Sequence, residues 1–115
     1  MKWLKNLYVG EKAGTKASRL LRAAERGKKS KFDKNWLIVL SGYPKAQLDL
    51  MSVKESRNKA YQGEKLSVVG LAASRAEAFA LVEKMANDCL KATGTAELKA
   101  YFAGQPLVNW REVSV

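Results

Sequence analysis

Leu66-Ser67-Val68-Val69-Gly70-Leu71-Ala72, followed at once by Ala73-Ser74-Arg75-Ala76-Glu77, is the stretch whose reading decides the fold. Its first seven residues are short, almost continuously apolar and rich in strand formers, so they read as a strand (66 to 72) buried on both faces. Gly70 points to close approach of another backbone or a ligand near the strand's end. Ser74 with Glu77 three places on is a capping box. The helix it opens, 75 to 92, carries Phe79, Val82, Met85, Ala86, Cys89 and Leu90 as one apolar stripe and stops before Gly94. Residues 96 to 102 then alternate Leu98, Ala100 and Phe102 with Glu97, Lys99 and Tyr101, the period of a half-exposed edge strand. Strand, helix and strand make a β-α-β unit with a right-handed crossover and parallel strands.

Working outward, Trp36-Leu37-Ile38-Val39-Leu40 is a second buried strand (36 to 41), punctuated by Ser41-Gly42-Tyr43-Pro44. Between the two strands Leu48, Leu50, Met51 and Val53 fit neither period, and a crossover helix within 45 to 60 is expected because it would cover the buried strands. Thr15 is placed as the N-cap of a helix over 15 to 26, with Gly27 as its left-handed stop. The expected fold is α/β: a small three-stranded, mainly parallel sheet with helices packed on it, order α-β-α-β-α-β. Residues 1 to 102 form a single domain in this reading. Residues 103 to 115 form a tail whose Leu107 and Trp110 pack back on the domain or on a neighbour. A thin sheet has edges to complete, which makes a homodimer the expected assembly.

Leu48-Asp49-Leu50, Val68-Val69-Gly70-Leu71-Ala72, Glu77-Ala78 and Tyr101-Phe102, in this order of elements, resemble a group of small uncharacterised bacterial proteins over roughly residues 7 to 102. The resemblance implies the fold and a bacterial cytosolic setting. It implies no activity and no functional residue.

The chain's 115 residues, 47% of them hydrophobic and 28% charged, suffice for one core and not for two. Trp36 to Leu40 is the longest aliphatic or aromatic run, far short of the roughly 20 residues that cross a bilayer. Lys5 and Asn6 break the start of the chain before a signal-type apolar stretch can form, so a cytoplasmic location is the expectation. There is no histidine, and Cys89 stands alone. Histidine acid/base catalysis, histidine triads and multi-cysteine metal sites are therefore excluded, no cofactor is expected, and a non-catalytic role is favoured.

Charge is the informative number. Of the net +10, residues 1 to 34 hold eleven Lys/Arg against three acids, a local excess of +8. On the expected first helix Ala17, Leu20, Leu21 and Ala24 share one side. Arg19, Arg22 and Arg26 fall opposite, with Lys16 at the edge, and the row continues into Lys28, Lys29 and Lys31. These seven residues are the candidate nucleic-acid contacts, with Trp3, Tyr8, Phe32 and Trp36 as nearby aromatics. Ser41 and Gly42, with Gly70, Ala73, Ser74 and Arg75, would lie together at the carboxyl ends of parallel strands, where α/β sheets bind ligands. They are the candidate anion site. Gly10 to Lys16 misses the phosphate-loop motif, because three residues separate its glycines and Thr15 precedes Lys16. Cys89 falls on an apolar stripe, as a buried inert thiol would. Asp49 and Glu55, six apart, do not share a helical face. Three function classes remain: a protein-interaction or assembly module with an unknown protein partner, a nucleic-acid binder using the basic helix, and a binder of a small anionic ligand.

Overall fold

A computed structural model describes residues 1–58 and 66–115 of the chain. Its strands are β1 (Lys2–Val9), β2 (Trp36–Leu40), β3 (Leu48–Ser52), β4 (Ser67–Ala72) and β5 (Leu107–Val108), and its α-helices are α1 (Ala17–Arg26), α2 (Arg75–Thr93) and α3 (Leu98–Ala103). The strands form one sheet in the order β3-β2-β4-β1-β5, with β1 parallel to β4 and the other pairings antiparallel. This is an α+β fold with a mixed, mostly antiparallel sheet, and it replaces the expected three-stranded parallel α/β arrangement.

Three local readings account for the difference. The expected helix within 45 to 60 is instead β3 followed by a 3-10 turn, Glu55–Arg57, while residues 59 and 60 lie outside the described residues. Ser41-Gly42-Tyr43-Pro44 is the start of a hairpin loop, so β3 folds straight back on β2 with Leu40 opposite Leu48 and Trp36 opposite Ser52. The expected strand at 96 to 102 is helix α3. Leu98 and Phe102 satisfy an alternating pattern and also stand four apart on one helical face, where both are buried. With Ala and Lys between them, propensity favours the helix. No β-α-β unit therefore spans 66–102. The parallel partner of β4 is β1, whose buried Trp3, Leu4 and Leu7 the sequence reading had left out of the sheet.

The termini of the helices follow their caps. Gly27 at φ 69° stops α1 and Gly94 at φ 81° stops α2, conformations that cost glycine little. Ser74 caps α2 by accepting the Glu77 N–H at 3.2 Å. Thr15 caps nothing, because it sits inside a 3-10 turn, Gly14–Lys16, and α1 begins at Ala17.

In β2, Leu37, Ile38 and Val39 are all buried, and in β4 so are Val68 to Ala72. Consecutive strand residues face opposite ways, so both faces of the sheet are covered. On the α2 side a Cβ at Gly70 would stand 2.9 Å from Ile38 Cδ1 and 3.0 Å from Met85 Cε, which explains the glycine as helix-to-sheet packing. Met85, Cys89, Ala78 and Leu81 make the buried face of α2. Phe79, expected to point into the sheet, is 53% exposed and lies about 100° round the helix from Ala78, and Leu90 is exposed as well. Leu20, Leu21 and Ala24 of α1 join the same continuous core. Residues 103 to 115 return to the sheet: Leu107 pairs with Leu4, Val108 with Trp3, and Ser114 N–H donates to Lys5 O at 2.9 Å. Among the described residues no helix is long and apolar enough to cross a membrane.

Candidate functional site

Helix α1 buries Ala17, Leu20, Leu21 and Ala24 and exposes Arg19, Arg22 and Arg26, as helical geometry requires. Its one acid is diverted: Glu25 accepts the Trp3 indole N–H at 3.2 Å and lies 3.8 Å from the Met1 ammonium. Among the described residues none of the three arginines has a carboxylate within 4 Å. Arg22 lies over the Trp110 ring at 5.6 Å and Arg111 over the same ring at 5.1 Å, so an aromatic side chain stands beside the middle of the row. Lys16, Lys28, Lys29 and Lys31 are all exposed.

Beyond Gly27 the chain tightens into a turn that aims lysines at one space. Ser30 N–H donates to Asp33 Oδ1, Phe32 N–H donates to Ser30 Oγ, and the Phe32 ring is buried beneath. Val53 N–H to Asn35 O (2.8 Å) and Lys54 N–H to Asp33 O (3.2 Å) tie the end of β3 across this turn. The result is a cleft of about 780 Å³ bordered by Lys29, Lys31, Lys34 and Lys54, with half-buried Trp36 and Ser52. Asp33, the acid at its rim, is engaged from outside: Arg57 holds it in a two-pronged pair at 2.7 and 2.9 Å. These hydrogen bonds hold its carboxyl below the usual carboxylate range. Among the described residues none of the four lysines has a carboxylate within 4 Å. Lys29 and Lys31 were legible as part of a basic run. Trp36 was legible as a nearby aromatic, whereas Lys54 and Ser52 were not, because a helix read through 45 to 60 hides the hairpin that delivers them.

The candidate anion site does not assemble. β2 runs antiparallel to β4, so Ser41 and Gly42 leave the sheet at the end opposite to Ala73, Ser74 and Arg75. Ser41 is buried and accepts the Tyr43 N–H, closing its own turn. Gly70 lies within β4 rather than in a loop. The amides that an anion would need are already used: Glu77 accepts from Ala73 N–H (2.9 Å), Lys12 N–H (3.0 Å) and Ala13 N–H (3.2 Å). The protein supplies its own carboxylate there, and Arg75 lies over the Phe79 ring at 5.4 Å. The same contacts fill the turn after β1, where a Cβ at Gly10 would overlap Glu77.

Cys89 is fully buried, its thiol donating to Thr95 O at 3.2 Å. Asp49 stands in β3 while Glu55 accepts the Ser52 N–H, so these acids do not pair. The second polar cluster joins β1 to α2. Tyr8 hydroxyl donates to Asp88 Oδ2 at 2.5 Å, and Lys84 reaches the same oxygen at 3.4 Å. Burial, followed by this hydrogen bond and the carboxylate's charge, pushes the Tyr8 phenol well above its ordinary value.

No protein-family model, curated protein or solved structure matches this chain.

Proposed function

We propose that the chain binds single-stranded nucleic acid, with phosphates in the cleft between the 28–34 turn and the β2–β3 hairpin and along the arginine row of α1. The reading rests on one observation: Lys29, Lys31, Lys34 and Lys54 converge round a space that Trp36 also lines, and Asp33, which lines it too, is paired with Arg57. A positive groove containing an aromatic surface holds successive phosphates and stacks a base without reading sequence. The ten residues of α1 add about 15 Å of cationic surface to the cleft. The local excess of positive charge speeds encounter with a phosphate polymer.

The test is fluorescence anisotropy of a labelled mixed-sequence 15-nucleotide strand between 50 and 300 mM NaCl. Log affinity should fall linearly with log salt, with about −0.7 in slope per phosphate contact. Replacing Lys29, Lys31, Lys34 and Lys54 together by Gln should flatten the slope by about 2 to 3, and replacing Arg19, Arg22 and Arg26 by Gln should flatten it by about 1 to 2. All seven positions are solvent-facing or on a rim, so the unfolding midpoint should hold. Absence of binding by the parent at 50 mM NaCl, or equal affinity in the lysine variant, rejects the reading.

A further inference from the structure

We infer that the lysine cleft takes the end of a strand rather than its interior, binding a terminal phosphate monoester with the neighbouring base against Trp36; this rests on the nucleic-acid reading and narrows it to one class of ligand. Size sets the first limit. The cleft's volume of about 780 Å³ falls within the range of sites that enclose one small ligand, which gives it room for about one nucleotide. An internal nucleotide brings a single charge per phosphodiester and two free phosphate oxygens. A terminal phosphate monoester brings about −1.5 to −2 near neutral pH and three acceptor oxygens.

The lining matches the terminal group. Lys29, Lys31 and Lys34 come from the 28–34 turn and Lys54 from just past β3, where its N–H to Asp33 O (3.2 Å) holds the two walls together. Lys31 Nζ stands 5.4 Å from the centre of the Phe32 ring, so the buried ring supports that ammonium. Each ammonium donates and cannot accept. Two serines add neutral donors. Ser30 Oγ accepts the Phe32 N–H at 3.1 Å and Ser52 Oγ accepts the Glu55 N–H at 3.0 Å. A backbone donor thus orients each hydroxyl, which among the described residues keeps its own proton for a ligand.

The one carboxylate among the described lining residues is already engaged. Asp33 has both oxygens on Arg57 and takes the Ser30 N–H as well. Side-chain donors on both walls, with the carboxylate occupied, select a ligand that accepts from several directions at once. Trp36, half-buried at the start of β2, offers its ring to the terminal base. Arg19, Arg22 and Arg26 do not line the cleft, so interior phosphates fall to them.

The test compares internally labelled 15-nucleotide strands of one sequence carrying a 5′-phosphate, a 3′-phosphate or hydroxyls at both ends, by anisotropy at 100 mM NaCl. A phosphorylated strand should bind the parent about tenfold more tightly than the hydroxyl strand, the gain expected from one further charge-assisted hydrogen bond or more. The end that shows the gain is the end bound. A hydroxyl-ended strand one nucleotide longer adds an internal phosphate and should show no such gain. Lys54→Gln should reduce the preference, and the combined Lys29, Lys31, Lys34 and Lys54 to Gln variant should remove it. Replacing Arg19, Arg22 and Arg26 by Gln should weaken every strand and leave the ratio intact. Equal affinity for all strands, an equal gain from the longer strand, or a preference that survives the combined lysine variant overturns the inference while the nucleic-acid reading stands. Failure of the parent to bind any strand at 50 mM NaCl rejects both.

Discussion

Replacements of Met85 and Phe79 by Ala, six residues apart on α2, should differ sharply in their cost to stability: large for Met85 and near zero for Phe79. Met85 is fully buried against Gly70, which has no side chain to close over a void. Removing a buried Met side chain costs about 2–5 kcal/mol, from lost transfer energy and the cavity left behind, and the rigid backbone at Gly70 argues for the middle of that range or above. Phe79 is 53% exposed, and its described aromatic contact is Arg75 lying 5.4 Å above the ring. Such an exposed cation–π contact is worth about 0.5–1 kcal/mol, and Ala returns a comparable amount in helix propensity. The net change for Phe79→Ala should lie within about 0.5 kcal/mol of zero. Urea unfolding followed by far-ultraviolet circular dichroism reads both. With m near ~1.5 kcal/mol/M, a loss of ~3 kcal/mol moves the Met85→Ala midpoint down by about 2 M, while Phe79→Ala stays within about 0.3 M of the parent. A Phe79→Ala midpoint lower than that of Met85→Ala would show that α2 docks with the face rotated by about 100°, and the packing described above would fail with it.

Glu77→Ala strands the amides of Lys12, Ala13 and Ala73 and should destabilise the chain by about 1–3 kcal/mol in the same urea assay, with Glu77→Gln in between. Gly10→Ala drives its Cβ into the Glu77 side chain, so its cost and that of Glu77→Ala should be clearly less than additive in a double-mutant cycle. Tyr8, held protonated by burial and Asp88, should stay un-ionised in an absorbance titration at 295 nm through the range around 10.0 where a free phenol ionises. Because its folded pKa is raised, the stability it adds is whole below the ordinary phenol value and drains away as pH rises above it; Tyr8→Phe should remove that alkaline loss. Asp33, with its pKa lowered by Arg57, works in the other direction. Its contribution is present above the ordinary carboxylate value and disappears as pH falls below it, and Arg57→Gln should shrink the drop in thermal midpoint between pH 5 and pH 2.5.

Residues close in sequence carried most of what could be read in advance. Helix α1 and its exit follow periodicity and the stop at Gly27, which is why the arginine row and the lysines after it were legible as exposed cations. Ser74 and Gly94 likewise bounded α2 correctly, while the face it buries was misjudged. Met85 and Cys89 lie on both candidate stripes, and only contact with Gly70 and Ile38 decides in favour of Ala78 and Leu81 over Phe79 and Leu90. The cleft was half legible: Lys29 and Lys31 are in one run, but Lys54 comes from the far end of a hairpin, and the pairing of Trp36 with Ser52 brings it there.

By itself, then, the sequence determined the charge and its concentration in the first third, the caps of α2, the left-handed stop of α1, and the burial of 37–39 and 68–72. Each of these depends on neighbours within a turn or two, where steric preference and solvation act without knowledge of the rest of the chain. Tertiary structure alone decided that β1 pairs in parallel with β4, that β3 turns back on β2, that Leu98 and Phe102 share a helical face, and that Glu77 fills the amide cluster the sequence had offered to an anion. Those outcomes depend on which distant surface each apolar residue meets, and a short pattern that suits either a strand or a helix is settled by that contact.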